Sequence, residues 1–248
     1  MFDLTGKCAL VTGASGGIGG AIARALHAQG AAVALSGTRR GALDALAADL
    51  GQRAYVTPCD LSDAAAVGTL AGEAETAMGG LDIVVNNAGV TRDGLMMRMS
   101  DDDWQTVIEV DLTAAFRIAR AALRGMIKRR WGRIIHISSI MGLASKDARN
   151  VYSATKAGLL GLARASALDL GTYNITVNCI APGPFLTDLP GTILTAEQKK
   201  GLSDRTALDR WGDPRELAGP ALLLASEAGS YITGEVLVVD GGLLVKTF

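Results

Sequence analysis

Short apolar runs recur along the chain, and amphipathic stretches separate them. The runs are rich in Val and Ile and are bounded by Gly, Asn or Asp, which is typical of buried strands. There are seven: CALVTG, AAVALSG, AYVTPCD, LDIVVNNAG, GRIIHISS, ITVNCIAPG and EVLVVDGG. The stretches between them contain good helix formers with apolar residues three or four apart. This alternation predicts an α/β fold, in which a parallel seven-stranded sheet carries helices on both faces.

The composition favours one domain over residues 1–248, because 49% of the residues are hydrophobic and no linker or low-complexity segment divides the chain. The least regular part covers about residues 183–210 and follows a predicted strand near the carboxyl edge of the sheet. A stretch of this length at that edge predicts a substrate lid.

Charge and cysteine usage exclude several classes of protein. The net charge is −1 with Lys and Arg spread along the chain, so we expect no nucleic-acid partner. The three cysteines are far apart, which indicates reduced thiols rather than disulfides or a metal site. The first residues lack the features of a signal peptide, and no apolar stretch reaches the roughly 18 residues of a membrane span. We therefore expect a cytoplasmic protein without a membrane partner.

A glycine-rich turn, TGASGGIGG, ends the first predicted strand and opens a predicted helix. Gly13, Gly17 and Gly19 would allow a tight turn and a close approach of phosphate to the backbone, and the helix N-terminus would offer N–H groups to an anion. This order predicts a dinucleotide phosphate site, with a flexible turn as the alternative. A P-loop is disfavoured because no Lys follows the last glycine.

The second predicted strand ends in SGTRR, residues 36–40, without the acid that usually binds the ribose 2′-hydroxyl of NAD. Thr38 and Arg39 could bind a 2′-phosphate instead, which predicts NADP(H), with NAD(H) as a possible cofactor. The alternative is that Arg39 and Arg40 begin a solvated helix. Asp60 ends the third run and is placed either to meet the adenine edge or to cap the next helix.

Tyr152 and Lys156 lie four positions apart in VYSATKAG and would share one face of a helix. A cation about 4 Å from a phenol contributes about 4 kcal/mol at an effective dielectric constant near 20, which lowers a phenol's pKa toward neutral pH. Such a phenol suits proton transfer. We therefore predict Tyr152 as the catalytic acid and Lys156 as its tuning cation; an ordinary solvated helix face is the alternative.

The other polar candidates are two histidines and two serines. His27 falls in a predicted helix and His136 in a predicted strand, so neither is a convincing proton donor. Ser138 and Ser139 end the strand before Tyr152. Because ligands of open α/β sheets bind at the carboxyl edge, either hydroxyl could bond the substrate oxygen.

TGASGGIG, NNAG at 86–89, the serine of HISS and YxxxK together resemble the short-chain dehydrogenase/reductase family, over about residues 7–242. The resemblance implies a Rossmann fold and an NAD(P)-dependent oxidoreductase acting on ketones or secondary alcohols. It selects Ser139, thirteen positions before Tyr152, as the group that orients the carbonyl. It also implies that Tyr152 is the general acid and that Lys156 holds the nicotinamide ribose.

The resemblance further implies cofactor contacts at the glycine turn, at the ends of the second, third and fourth strands, at the Tyr–Lys pair and in the PGPFLT segment, which would cover the nicotinamide. These positions are Gly13, Ser15, Gly17, Ile18, Gly19, Thr38, Arg39, Asp60, Leu61, Asn87, Gly89, Tyr152, Lys156, Pro182, Gly183, Phe185 and Thr187.

Within the family, NNAGVTRDGLMMRM, DDDW and MIKRRWGRII are similar to 3-oxoacyl-[acyl-carrier-protein] reductases of fatty-acid biosynthesis. This implies an acyl-thioester substrate and a carrier protein that meets Arg129 and Arg130; the alternative is a basic helix end that complements its own dipole. The polar SKDAR at 145–149 resembles sugar and polyol dehydrogenases of the family at least as well. A small-molecule ketone, sugar or polyol is therefore the second hypothesis.

Asp111, in VDLTAAF, stands where the family has its fourth catalytic residue, an Asn. An ionised carboxylate only accepts hydrogen bonds, so a water relay attached there would be rearranged. We retain Asp111 as a candidate catalytic residue. It is also the one departure that supports a third hypothesis, a dinucleotide-binding regulatory protein without catalysis.

Two predicted helices, at 112–130 and 152–170, carry apolar or small residues on more than one face. The family commonly pairs these helices in dimers and tetramers, which implies a homotetramer. Burial inside a monomer is the alternative.

Overall fold

The computed structural model describes residues 1–187 and 195–246. Its seven strands form one parallel sheet in the order β3-β2-β1-β4-β5-β6-β7. The strands are β1 (Cys8–Thr12), β2 (Ala32–Ser36), β3 (Ala54–Val56), β4 (Ile83–Asn86), β5 (Gly132–Ile137), β6 (Ile175–Pro182) and β7 (Val236–Val239). The α/β fold with a seven-stranded parallel sheet, predicted from the apolar runs, is confirmed.

Helices cover both faces of this sheet. They are α1 (Gly17–Ala28), α2 (Arg40–Leu50), α3 (Ala64–Met78), α4 (Asp101–Ile108), α5 (Ala114–Arg129), α6 (Asn150–Leu170), α7 (Ala196–Ser203) and α8 (Ala218–Ala225). Residues of α3, α5 and α6 share one apolar core, and residues of α1, α2 and α8 share the other.

Side chains alternate between the two cores along each central strand. In β1, Leu10 packs with α3, α5 and α6, whereas Ala9 and Val11 pack with α1, α2 and α8. All three are fully buried. A strand that is buried on both faces has no solvent-facing side that would carry polar residues. The strand segments of the sequence are therefore continuous apolar runs.

The helical stretch between β4 and β5 is divided. A π-helical turn, Glu109–Thr113, separates α4 from α5. The turn adds a residue to the helical repeat without ending the helix, and it places Asp111 in the interior, where 2% of the residue is exposed.

The predicted lid lies partly outside the described residues, which do not include 188–194. On its far side, Thr195 and Gln198 form a capping box that starts α7. The indole Nε1 of Trp211 donates to the Lys199 carbonyl at 2.9 Å, which ties α7 to the chain that follows it. Trp211 itself is 9% exposed.

No helix within 1–187 and 195–246 has the length and apolar character needed to cross a bilayer. The same residues hold no cluster of three or more His, Cys, Asp or Glu side chains arranged to bind a metal ion. The three cysteines are buried free thiols.

Candidate active site

The glycine turn joins β1 to α1 at the carboxyl edge of the sheet. Gly13 has a φ of +65°, and the Ala14 N–H donates to the Ser36 carbonyl at 2.9 Å. The residue before α1 is Gly16, and no side chain caps the helix. The N–H groups of the first turn therefore remain available to an anion, as a phosphate site requires.

Asn87 connects this turn to the end of β4 by hydrogen bonds. Its side-chain Nδ2 donates to the Thr12 carbonyl at 2.9 Å and to the Gly13 carbonyl at 3.3 Å. The Thr12 hydroxyl accepts the backbone N–H groups of Asn87 and Ala88 at 3.0 and 3.1 Å. A Cβ on Gly19 would lie 2.3 Å from the Gly13 carbonyl oxygen, so the turn tolerates no side chain there. The Asn87 amide is thus used to hold the turn.

Arg39 reaches back over the glycine turn from the end of β2. Its Nη2 donates to the Ser15 carbonyl at 2.6 Å, which places the guanidinium beside the uncapped helix end. Both Thr38 and Arg39 are exposed. An exposed cation next to the glycine turn is a candidate for binding a 2′-phosphate.

Asp60 does not cap α3, so that alternative is wrong. The cap is Asp63, whose carboxylate accepts the N–H groups of Ala65 and Ala66. Asp60 is exposed and accepts the backbone N–H and the hydroxyl of Ser62 at 2.9 and 2.7 Å. These two hydrogen bonds lower the pKa of Asp60.

The remaining hydrophobic candidates of the cofactor set pack into the two cores. Leu61 is 9% exposed in the core beside α3, and Ile18 packs against the other core.

Hydrogen bonds separate the roles of Ser138 and Ser139. The Ser138 hydroxyl donates to the Lys156 carbonyl at 2.8 Å and so braces α6. The Ser139 oxygen accepts the Met141 N–H at 3.1 Å, and its own O–H is left to donate elsewhere. Gly142 packs so closely on α6 that a Cβ there would lie 2.8 Å from the Lys156 carbonyl. The turn that carries Ser139 is therefore fixed against the helix that carries the Tyr–Lys pair.

Tyr152 and Lys156 lie on one face of α6, as predicted. The Lys156 Nζ is 5.4 Å from the centre of the Tyr152 ring and donates to the Ile137 carbonyl at 3.2 Å. The lysine side chain is 4% exposed, whereas Tyr152 is half-buried. The ammonium is thus held under the ring while the ring itself remains accessible.

Asp111 lies beside the same ammonium. Its Oδ2 is 3.3 Å from the Lys156 Nζ, and its Oδ1 accepts the Val90 N–H at 2.8 Å. Gly89 makes room for this contact, since a Cβ there would lie 3.1 Å from both charged groups. Burial raises the pKa of Asp111, and the Lys156 charge offsets this only in part. Burial alone lowers the pKa of Lys156, but Asp111 and Tyr152 outweigh burial and raise it.

The segment after β6 runs past the glycine turn. The Gly183 N–H donates to the Val239 carbonyl at 2.9 Å, which extends the pairing with β7 beyond Pro182. Phe185 is 6% exposed, and its ring packs on Gly212. Thr187 lies next to Gly17, where an added Cβ would be 3.3 Å from its Cγ2. Of the two predicted nicotinamide contacts, Thr187 lies nearer the turn, and the Phe185 ring is turned into the core.

Arg149 lies beside the candidate site and is not among the residues predicted from the sequence. Its guanidinium carbon lies 5.5 Å from the centre of the Tyr152 ring. It also bonds the Thr91 hydroxyl at 3.0 Å and pairs with Asp93 at 3.2 Å. The segment that follows β4 is thereby fastened to the start of α6, and the exposed side chains of Leu95, Met96 and Met97 come directly after the fastened part. A lone Arg three positions before the tyrosine was the available signal.

His136 is buried in β5, and its Nδ1 lies 3.2 Å from the Asn86 amide nitrogen. Burial lowers the pKa of His136 to about 4, so the imidazole is neutral near pH 7. The Nε2 of His27 lies 2.7 Å from the Gln52 carbonyl, at the surface.

Arg129 and Arg130 lie at the end of α5, beside the start of β5 and therefore at the amino edge of the sheet. Arg129 bonds the Asp82 carboxylate and the Leu81 carbonyl, at 3.0 and 2.5 Å. Arg130 bonds the Thr172 carbonyl at 2.7 Å. Both guanidinium groups hold neighbouring parts of the chain, and they are on the edge opposite Ser139.

Comparison with known proteins gives matches over nearly the whole chain. A family profile described as "Enoyl-(Acyl carrier protein) reductase" matches residues 13–244. Nodulation protein G of a Rhizobium species is 49% identical over 243 residues, covering 98% of this chain and 99% of that protein. A 3-oxoacyl-[acyl-carrier-protein] reductase of Rickettsia bellii is 41% identical over 245 residues, covering 99% of this chain and 100% of that protein.

Two crystal structures from Agrobacterium tumefaciens have the same fold. A 3-oxoacyl-(acyl-carrier-protein) reductase with NADP bound superposes with a TM-score of 0.92 at 36% identity, over 97% of this chain and 95% of that one. A protein provisionally named a gluconate dehydrogenase superposes with a TM-score of 0.93 at 35% identity, over 98% of each chain.

Arg39→Ala should weaken NADPH binding by about tenfold or more and leave NADH binding much less affected, because a charge-assisted hydrogen bond contributes about 1.5–3 kcal/mol. Fluorescence titration of the purified protein with each cofactor measures both affinities.

Arg40→Ala is the matched control for this substitution. Arg40 is also exposed, but it pairs with Asp44 at 3.1 Å on its own helix. Equal losses for NADPH and NADH in Arg39→Ala would show that Arg39 does not read the 2′-phosphate.

Proposed function

Because the chain belongs to the short-chain dehydrogenase/reductase family, we propose that it is an NADP(H)-dependent oxidoreductase that reduces a ketone to a secondary alcohol. The observation that carries this proposal is the grouping of three side chains at the carboxyl edge of the sheet. Ser139 has a free hydroxyl proton, Tyr152 is accessible, and Lys156 is buried beneath the tyrosine ring.

The residues at this edge fit a dinucleotide. The uncapped start of α1 and the Arg39 guanidinium would bind phosphate groups, and Thr38 would assist at the ribose. Thr187 packs against Gly17 at the turn, so its side chain would border the bound cofactor there. When bound, the nicotinamide supplies the hydride that the keto carbon receives.

The protein's own side chains would manage the carbonyl oxygen. The Ser139 hydroxyl would donate a hydrogen bond to that oxygen and stabilise its developing charge. Tyr152 would give it a proton, so that the alkoxide leaves as an alcohol. The Lys156 ammonium would hold the ribose and stabilise the tyrosinate that remains.

For the substrate, we propose a 3-oxoacyl thioester, carried by coenzyme A or by an acyl carrier protein. The support is the 41% identity, over the full length, to a 3-oxoacyl-[acyl-carrier-protein] reductase. Leu95, Met96 and Met97 are 49%, 81% and 87% exposed directly after the segment that Arg149 fastens, and they would offer an apolar surface to an acyl chain. For a carrier protein, Arg129 and Arg130 are the contacts that the family resemblance implies, but both bond within the chain and lie at the edge of the sheet opposite Ser139, which argues against them.

A sugar, polyol or other small ketone is the second candidate substrate. Two observations favour it: the polar segment 145–149 lies just before Tyr152, and the fold superposes on a protein provisionally named a gluconate dehydrogenase.

The substrate assignment predicts NADPH oxidation with acetoacetyl-CoA as the acceptor and slower turnover of ketoses and simple ketones. A panel of these acceptors, each tested with NADPH and NADH, measures the preference by loss of absorbance of the reduced cofactor. No turnover of any β-ketoacyl thioester would overturn the acyl assignment, and faster turnover of a ketose would establish the second candidate.

Tyr152→Phe should keep cofactor binding and lose turnover by at least about 10²–10⁴-fold, because the proton donor is removed and the ring is retained. Steady-state rates and NADPH titration separate the two effects. Tyr231→Phe is the control, since Tyr231 is fully exposed. Substantial activity in Tyr152→Phe would contradict the acid assignment.

We also propose that the protein is a homotetramer paired through α5 and α6. An exposed stripe of small and apolar residues runs along α6: Ala157, Gly161, Ala165 and Leu168. Leu168 is 85% exposed, and Phe116 on the neighbouring α5 is 41% exposed. Two copies could bury these residues against each other.

Leu168→Asp should shift the protein to a smaller assembly in sedimentation velocity, because it puts a charge into an apolar contact. Tyr55→Asp is the control, since Tyr55 is exposed on the edge strand β3, away from α6. A wild-type monomer, or an unchanged assembly in Leu168→Asp, would contradict the proposed pairing.

A further inference from the structure

A buried ion pair lies directly beneath the proposed proton donor. The Asp111 side chain is fully buried, the Lys156 side chain is 4% exposed, and their charged atoms are 3.3 Å apart. The family's Asn would bring no charge to this position. The pair concerns the cation on which the proposed reaction depends.

We propose that Asp111 is a positioning residue that acts through Lys156: its carboxylate is the counter-ion that keeps the buried ammonium charged and in place beneath Tyr152. The inference rests on the proposed function for its consequence in catalysis. It concerns the protein's charge state, so it can be tested without a substrate.

Among the described residues that surround the Lys156 ammonium, Asp111 is the one that can serve as its counter-ion, because the others are neutral or titrate with it. From β5, Ile137 contributes a neutral carbonyl at 3.2 Å, and His136 is neutral because burial lowers its pKa to about 4. From β6, Cys179 faces the ammonium as a thiol, because burial raises its pKa to about 12. On α6 itself, Tyr152 is the neighbouring titratable group.

The carboxylate is itself held in two directions. Oδ1 accepts the Val90 N–H at 2.8 Å, and Oδ2 has no hydrogen-bond donor directed at it within the described chain, so its remaining partner is the Lys156 charge. An amide in the same place could accept from Val90 through its oxygen, but it would leave the ammonium without compensation. The contact thus joins the segment after β4, the π turn and α6.

The direction of the expected effect follows from burial. A buried ammonium loses its proton more readily, whereas an adjacent carboxylate opposes that loss. With Asp111 present, the pKa of Lys156 is raised, so the charge persists as pH rises through the alkaline range. When a neutral group replaces the Asp111 carboxylate, less charge opposes the effect of burial on Lys156. The ammonium then loses its proton at a lower pH.

Asp111→Asn tests this directly, because it removes the charge and keeps the size and the acceptor for Val90. The probe is the Cε resonance of Lys156 in protein labelled with ¹³C-lysine, assigned by its absence in Lys156→Arg and titrated from neutral to strongly alkaline pH. We expect the Lys156 titration to move down by about one pH unit or more. We also expect NADPH affinity to fall over the same pH interval.

Asp82→Asn is the matched control. Asp82 is 7% exposed and pairs at 3.0 Å with Arg129, whose side chain is 37% exposed, so the substitution removes a buried carboxylate from an ion pair at the opposite edge of the sheet. It should leave the Lys156 titration unchanged, which separates a local charge effect from general destabilisation.

Two outcomes would overturn the inference. One is an identical Lys156 titration in wild type and Asp111→Asn. The other needs no variant: in the wild-type protein, Lys156 titrating below the exposed lysines of the same sample would show that the carboxylate does not hold its charge. A wild type that binds NADPH and titrates as expected but reduces no ketone would instead count against the proposed function and leave this inference standing.

Discussion

The parallel register of the central strands is the constraint on which the rest of the structure depends. Because β1, β4, β5 and β6 run the same way and pair without slippage, their carboxyl ends stop at one edge. Residues as far apart in sequence as Gly13, Ser139 and Pro182 reach that edge for this reason alone. The apolar faces on both sides fix the register, since a shift by one residue would exchange the side chains of the two cores.

Around this edge, the chemistry depends on a few short links between neighbouring strand ends. Asn87 links β4 to the glycine turn, and Ser138 links the end of β5 to α6. Asp111 links the π turn to the segment after β4 and to α6. Each link uses a buried or half-buried polar group whose partner is a backbone atom or a charge. The groups left free, such as the Ser139 O–H and the Tyr152 ring, are the ones that can act on a ligand.

The sequence was sufficient for the strands, their parallel arrangement and the glycine turn, because continuous apolar runs and glycine spacing are local signals. It was insufficient where two arrangements use the same residues. Asp60 and Asp63 both precede α3, and only the helix start shows that Asp63 is the cap. The π turn leaves the apolar pattern of α4 and α5 intact, so the pattern does not reveal the division between them. The contacts of Arg149 could not be predicted, because its partners lie some fifty to sixty positions earlier in the chain.

The fluorescence of Trp211 depends on the position of α7. Its indole is buried and bonded to the Lys199 carbonyl, whereas Trp104 is 41% exposed. Displacement of α7 from the chain that follows it would break that bond and move the indole from the protein interior into water. The fluorescence emission of Trp211 would then shift to longer wavelength, so the native protein carries its own label for the position of this helix.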